Sequence, residues 1–239
     1  MINVTIVPVL EDNYAYLLEA DNGETAIVDP GESGPVIVAL GDKDLNLDYI
    51  LNTHHHSDHI AGNRDLKNAY NAKLAGPAKD SHRIADLDIE LDESSVFEFG
   101  GEQAQIFETP GHTTGGICIY FPISKIIFTG DTIFSLGCGR LFEGTPEQMW
   151  ASFQKIMALP DDTKLYCGHE YTQGGARFCL TVEPDNPDLK ARAEEVNALR
   201  EEEKPTLPST IGIEKKTNVF LRAGSADRFA EIRKLRDNF

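Results

Sequence analysis

Apolar residues in the first two-thirds of the chain fall in short runs separated by turn-forming residues, the pattern of β-strands. The runs predict strands at Ile2–Leu10, Tyr14–Ala20 and Thr25–Asp29, with Asp21-Asn22-Gly23-Glu24 as the hairpin turn between the last two. Helices are predicted over Ser33–Leu40 and Asn63–Tyr70, and short strands over Tyr49–Asn52 and Lys73–Ala75. Further strands fit Ser95–Phe99, Ala104–Glu108, Gly116–Phe121, Lys125–Phe128 and Lys164–Cys167. Thr145-Pro146-Glu147-Gln148 has the form of a helix start: Thr145 as N-cap, Pro146 in the first turn and Gln148 closing a capping box. That helix should reach about Leu159 and stop at Pro160. After Tyr171 the strand signal fades. Helices are expected over 173–182, 187–203 and 225–236, with Val219–Leu221 as a brief extended segment. Strands interleaved with helices, then mainly helices, predict an α/β domain over residues 1–170 and a small helical domain over 171–239.

Composition narrows the partners. The chain has 239 residues, 41% of them hydrophobic and 26% charged, enough to bury a core without disulfide staples. Its formal net charge is −17, and all of it lies in residues 1–170, where 10 basic side chains face 27 acidic ones; residues 171–239 hold 12 of each. Such an acid excess disfavours a nucleic-acid partner, whose phosphates need Lys and Arg, and equally an anionic membrane surface. No apolar run is long enough for a membrane span, and the first basic residue is Lys43, so no charged leader region is read. Cys118, Cys138, Cys167 and Cys179 form no CxxC pair and read as reduced, mostly buried thiols. The expectation is a cytoplasmic monomer.

Five of the seven histidines, with two aspartates, carry the chemistry. They stand in four blocks: Thr53-His54-His55-His56-Ser57-Asp58-His59, Thr109-Pro110-Gly111-His112, Thr129-Gly130-Asp131 and Cys167-Gly168-His169-Glu170. Each follows a predicted strand, and strands of an α/β layer deliver their C-terminal ends to one edge, where ligand sites form. Imidazole and carboxylate without thiolate suit Zn, Fe or Mn. Seven such ligands exceed the three of a catalytic zinc and fit two ions, roughly 3.5–4 Å apart, sharing a carboxylate. If the first block is extended, His54 and His56 point the same way and Asp58 and His59 lie one step further on. A lone histidine after a strand is usually a core or surface residue; four matching blocks are not. His55 is expected to point away and His82 to be exposed.

This series of blocks resembles the metallo-β-lactamase superfamily, over about residues 1–170. The resemblance implies a four-layer αββα sandwich with a dinuclear site at one edge. It implies that His54, His56 and His112 bind the first metal, Asp58, His59 and His169 the second, and that Asp131 bridges both. Gly137-Cys138-Gly139-Arg140-Leu141-Phe142-Glu143-Gly144-Thr145, His169-Glu170-Tyr171 and the tail Ile232-Arg233-Lys234-Leu235-Arg236 resemble the glyoxalase II family, over essentially the whole chain. By that resemblance Arg140, Phe142, Tyr171, Arg233 and Arg236 bind glutathione. Phe142 stands where the eukaryotic pattern has Tyr, and Arg140 and Arg236 where it has Lys, which keeps the charge and changes the geometry. The residues alone allow a plainer reading of the tail, since cations near a helix C-terminus commonly serve its dipole; the resemblance favours carboxylate recognition, which suits the guanidinium fork.

The implied reaction is hydrolysis of S-D-lactoylglutathione to D-lactate and glutathione by a hydroxide held between two metals, with Asp58 and Asp131 as the carboxylates nearest the chemistry. Competing readings are an iron-dependent glutathione persulfide dioxygenase, a β-lactamase, an RNA-processing nuclease and a non-catalytic metal-binding module. Asp131 stands where the common lactamase subclass has a Cys ligand, and the acidic main domain argues against the nuclease.

Overall fold

Alternate residues of the N-terminal strands divide between two cores, as a period of two requires when a sheet is covered on both faces. In a computed structural model describing all residues, Met1–Phe239, the first sheet runs in chain order through β1 (Ile2–Val9), β2 (Asn13–Ala20), β3 (Thr25–Val28), β4 (Tyr49–Leu51), β5 (Lys73–Pro77) and β6 (Ile89–Leu91). The first three are antiparallel neighbours, and β3 to β6 are parallel. Ala15, Leu17, Ile27, Ile50 and Leu74 face an outer core closed by α1 (Ser33–Asp42) and α3 (Asn63–Tyr70), the latter following the single turn α2 (Ser57–Ile60). Tyr14, Tyr16, Leu18, Val28, Leu51 and Ala75 face the central core instead.

The second sheet has the order β14-β13-β10-β9-β8-β7. Its strands are β7 (Phe97–Phe99), β8 (Glu102–Glu108), β9 (Ile117–Phe121), β10 (Ile126–Gly130), β13 (Lys164–Cys167) and β14 (Ser209–Thr210), while β11 (Ile133–Phe134) and β12 (Gly137–Cys138) form a separate hairpin. β13 is parallel to β10 and all other neighbours are antiparallel, so β8, β10 and β13 run the same way. Tyr16 packs edge-on against Tyr166 (5.1 Å) and tilted on Phe128 (5.5 Å) between the two sheets. The outer helical layer begins with α4 (Pro146–Met157), capped by Thr145 and Gln148 as the sequence indicates. It buries Met149, Phe153 and Ile156. α5 (Thr172–Val182), α6 (Pro187–Glu201), α7 (Ile211–Thr217) and α8 (Ala226–Asp237) complete the C-terminal helical region. Phe229 of α8 meets Phe153 of α4 at 5.2 Å. Helix, sheet, sheet and helix give the four-layer αββα sandwich expected.

Three departures have local causes. Val219–Leu221 is not extended: Asn218 Oδ1 accepts the Phe220 N–H (3.1 Å), a side-chain turn that competes with a strand, and a 3₁₀ turn follows at Leu221–Ala223. Asp58 and His59 lie in the helical turn α2, so the first histidine block is extended only up to His56. The sequence pattern also missed β6, β11, β12, β14 and α7, each too short to show a period.

The helical region is tied to the sandwich through two carboxylates. Glu170 accepts hydrogen bonds from Tyr14 Oη (3.1 Å), Thr206 N (2.8 Å) and Thr206 Oγ1 (2.6 Å). Glu214, fully buried on α7, accepts from Ser135 Oγ (2.9 Å), Leu136 N (2.8 Å), Ser209 Oγ (2.5 Å) and Asn218 Nδ2 (3.0 Å). Asn218 Nδ2 also donates to Phe134 O (3.1 Å) and Gly137 O (3.0 Å), fixing the β11–β12 hairpin from the helical side.

Candidate metal centre and substrate cleft

Parallel strand ends bring all four blocks to one edge. The segment after β4 supplies His54, His56, Asp58 and His59; the ends of β8, β10 and β13 supply His112, Asp131 and His169. The edge is clamped across the sandwich by Tyr14 N to Gly168 O (2.9 Å) and Ile117 N to Thr53 O (2.9 Å). His54, His56 and His112 form one cluster of converging ligand atoms, and Asp58, His59 and His169 a second. Asp131 stands between them: Oδ2 is 3.4 Å from His112 Nε2 and 3.3 Å from His169 Nε2, and Oδ1 is 3.4 Å from His59 Nε2. Asp58 Oδ2 lies 3.3 Å from His59 Nε2 and 3.4 Å from His169 Nε2. Nitrogen and oxygen atoms sharing a tetrahedral cation at roughly 2.0–2.1 Å stand about 3.3 Å apart, so these spacings suit ligands of a common ion.

Four of the five histidines are oriented from behind. Thr53 Oγ1 meets His54 Nδ1 (3.0 Å), Asp29 Oδ2 meets His59 Nδ1 (3.1 Å), Arg140 O meets His112 Nδ1 (2.8 Å) and Asp12 Oδ1 meets His169 Nδ1 (2.8 Å). These partners leave Nε2 of four rings facing the centre, while His56 offers Nδ1, 3.0 Å from His112 Nε2. His54 Nε2, His59 Nε2 and Asp131 Oδ1 are buried without any hydrogen-bond partner. Three such atoms in one place cost several kcal/mol unless something binds them, and a divalent cation fits this donor set.

Electrostatics agree. Burial alone would raise the Asp131 carboxyl, but the facing His59 and His169 hold it far below the usual carboxylate range. The facing imidazoles of His169 and His59 do the same to Asp58, against its partial burial. Burial works against a charged His169, yet Asp131 and Asp58 push it up to about 10. The carboxylates thus favour positive charge at the place where the geometry would seat a metal. Small residues make room: a Cβ on Gly168 would lie 2.5 Å from Asp131 Oδ1, and one on Gly139 would lie 2.0 Å from Asp131 O.

A cleft of about 460 Å³ opens from His112 and Asp131 toward Arg140, Arg233 and Arg236. Tyr171, 41% exposed, stacks flat on His169 (centroids 4.6 Å, 5° between planes). Phe142, 63% exposed, packs its ring on His112 (5.2 Å) and His56 (5.8 Å). Arg236 lies 5.5 Å from the ring centres of both Phe178 and Phe239, which meet edge to face 5.5 Å apart. Arg233 is buried and already engaged, donating to Cys138 O (2.9 Å) and pairing with Asp237 (2.8 Å). All five residues assigned to substrate by resemblance therefore line this one cleft.

Residues 9–169 match the family model described as the metallo-beta-lactamase superfamily, and residues 170–239 match that described as the hydroxyacylglutathione hydrolase C-terminus. The chain is 46% identical over 237 residues to the hydroxyacylglutathione hydrolase of Pelagibacter ubique, covering 99% of each. It is 46% identical to that of Methylococcus capsulatus, covering 100% of this chain and 99% of the relative. The chain belongs to the hydroxyacylglutathione hydrolase family. Among solved structures, ETHE1 from Myxococcus xanthus superposes with a TM-score of 0.72 at 21% identity, covering 98% of this chain and 90% of that one. The BLEG-1 B3 metallo-beta-lactamase gives 0.71 at 24% identity, covering 92% and 99%. At these identities the likeness is one of fold.

Within this chain, the histidines outside the blocks' pattern behave as expected. His82 is exposed, and His55 turns to Asp80 (2.9 Å). Four residues that contact the cluster escaped the sequence reading: Asp12, Asn13, Asp29 and Thr53. Asn13 Nδ2 donates to Asp58 Oδ2 (3.0 Å). Asp29 sits in left-handed backbone (φ 49°) and accepts from Thr53 N (2.8 Å) and Thr53 Oγ1 (2.6 Å) besides facing His59. The available signal was its place at the end of a strand parallel to β4. Asp29→Asn, which keeps the shape and removes the charge behind His59, is expected to weaken metal affinity by about 10–100-fold in a chelator competition, with the fold retained.

Proposed function

We propose that the chain hydrolyses the thioester S-D-lactoylglutathione, and related 2-hydroxyacylglutathiones, to glutathione and D-lactate, using two zinc ions, with iron or manganese as substitutes. The observation that carries this reading is the continuity of one cleft from the His/Asp cluster to the arginines. His54 Nε2, His56 Nδ1 and His112 Nε2 would hold one ion, Asp58, His59 and His169 the other, and Asp131 both. Bound there, the ions supply hydroxide near neutral pH and polarise the carbonyl under attack.

The chain's own groups do the rest. Asp58, fixed by Asn13, orients the attacking oxygen. Phe142 and Tyr171 wall the entrance on either side with aromatic faces, which places the acyl carbon and limits water. Phe142 has no hydroxyl, so it contributes surface and not a hydrogen bond. Arg140 and Arg236 offer guanidinium groups to the carboxylates of glutathione, while Arg233, held by Asp237, fixes the Cys138 carbonyl and with it the wall bearing Arg140. A thiolate leaves without a dedicated acid. The four buried free thiols suit a reducing cytoplasm. No helix is long and apolar enough to cross a membrane.

Arg236→Ala is expected to raise KM for lactoylglutathione about tenfold with kcat within about twofold, since the contact is made equally in ground and transition states. The deciding experiment is one metal-analysed preparation assayed on lactoylglutathione, a glutathione persulfide and a cephalosporin. Fast thioester cleavage with two ions per chain is expected. Oxygen uptake on the persulfide with a single iron, or rapid cephalosporin cleavage without thioesterase activity, would overturn it.

A further inference from the structure

Of the ten arginines, Arg83, Arg192, Arg200, Arg222, Arg228 and Arg233 pair with a carboxylate, and Arg64, Arg140, Arg177 and Arg236 do not. The chain carries 39 acidic residues, so unpaired cations gathered in one place mark a vacancy for an anion from outside. Three of the four gather. Arg140 and Arg236 line the substrate cleft, and Arg177, exposed on α5, stands beside Arg236 outside that lining. A methyl group placed on Gly174 would lie 3.5 Å from Arg236 Nη2 and 3.8 Å from Arg177 Nη2, so both guanidinium tips approach a single point above that glycine. Burial, followed by the charges of Arg233, Arg140 and Arg177, lowers the proton affinity of Arg236, as expected where like charges converge without a counter-ion. The rings of Phe178 and Phe239 fix Arg236, so one half of the pair is held in place before any ligand arrives.

We propose that Arg177 joins Arg236 in a receptor for a carboxylate of the thiol carrier, making Arg177 a further substrate-binding residue. The proposal rests on the glutathione-thioester reading above. Glutathione has two carboxylates, one on its glycine and one on its γ-glutamyl group, and two guanidinium forks on one carboxylate match either. A single exposed ion pair is weak, about 0–1 kcal/mol. Two forks converging on one anion, with one of them already fixed, give charge-assisted hydrogen bonds of greater strength and direction.

The test compares wild type, Arg177→Ala and Arg177→Lys, all metal-loaded, on S-lactoyl derivatives of glutathione, γ-glutamylcysteine and N-acetylcysteinylglycine. Arg177→Ala is expected to raise KM for lactoylglutathione about tenfold with kcat and Tm unchanged. That increase should vanish on the truncated thioester lacking the carboxylate Arg177 reads, which identifies it. Arg177→Lys should fall between the other two. An unchanged KM, an equal increase on all three thioesters, or a lysine variant identical to wild type would each overturn the proposal, the last two by reducing Arg177 to a diffuse charge. If the wild type binds metal but turns over no thioester, the activity reading fails instead. Calorimetric titration with S-methylglutathione then decides: a tenfold weaker Kd for Arg177→Ala sustains the receptor, and an equal Kd removes it.

Discussion

Asp131→Ala is expected to lower kcat/KM by three orders of magnitude or more and to leave the purified chain with fewer than two ions. The geometry makes Asp131 the one side chain shared by both clusters, with Oδ2 within 3.4 Å of His112 and His169 and Oδ1 within 3.4 Å of His59. On the proposed assignment, losing it would remove a donor from each ion and the charge that offsets them, so the effect should exceed the roughly 10–100-fold expected from an outer partner such as Asp29. The fold should survive, because the carboxylate is surrounded by imidazoles and not by core hydrophobes. Metal analysis, turnover and circular dichroism on one preparation check all three points. Two bound ions with full turnover would refute the shared assignment.

Glu214→Ala is expected to cost about 4 kcal/mol of stability and to lower Tm by roughly 10 °C in calorimetry with saturating metal. Four donors lose their acceptor in a fully buried place: Ser135 Oγ, Leu136 N, Ser209 Oγ and Asn218 Nδ2. An unsatisfied buried donor costs about 1–3 kcal/mol, and partial rehydration through the new cavity offsets some of the total. Glu214→Gln keeps one acceptor oxygen and should lose less than half as much. The damage should also reach the cleft, since Ser135 and Leu136 belong to the hairpin loop whose flanking Phe134 packs on His169 and Tyr171. A loss below about 1 kcal/mol for the alanine variant would show that these bonds are replaceable by water.

Much of this centre is legible in the sequence because strand ends, glycines and ligand residues coincide: Gly111, Gly130 and Gly168 stand beside His112, Asp131 and His169, each just after an apolar run. Thr145 and Gln148 announce α4 by the same kind of local chemistry. What stays hidden depends on tertiary pairing. Asp29-Pro30-Gly31 has the composition of a turn, and nothing local says that its carboxylate faces His59, 30 residues on. Arg233 and Arg236 share a helical spacing that groups them as free cations, yet the fold buries the first against Cys138 and leaves only the second without a partner. The β11–β12 hairpin has two-residue strands, too short for alternation to register, and is defined instead by Asn218 and Glu214 reaching across from the other end of the chain.

Glu170 has a consequence for how such proteins can be recombined. The two family matches meet between residues 169 and 170, so the seam of the chain falls directly behind His169. Glu170, the first residue past it, is bound by Tyr14 from one side and by Thr206 from the other. A chimera that exchanges the helical region at this natural joint would therefore break the tie to Tyr14, directly behind His169, unless the donor region brings its own counterpart of Glu170. The two halves are separable as sequence and inseparable as a working centre.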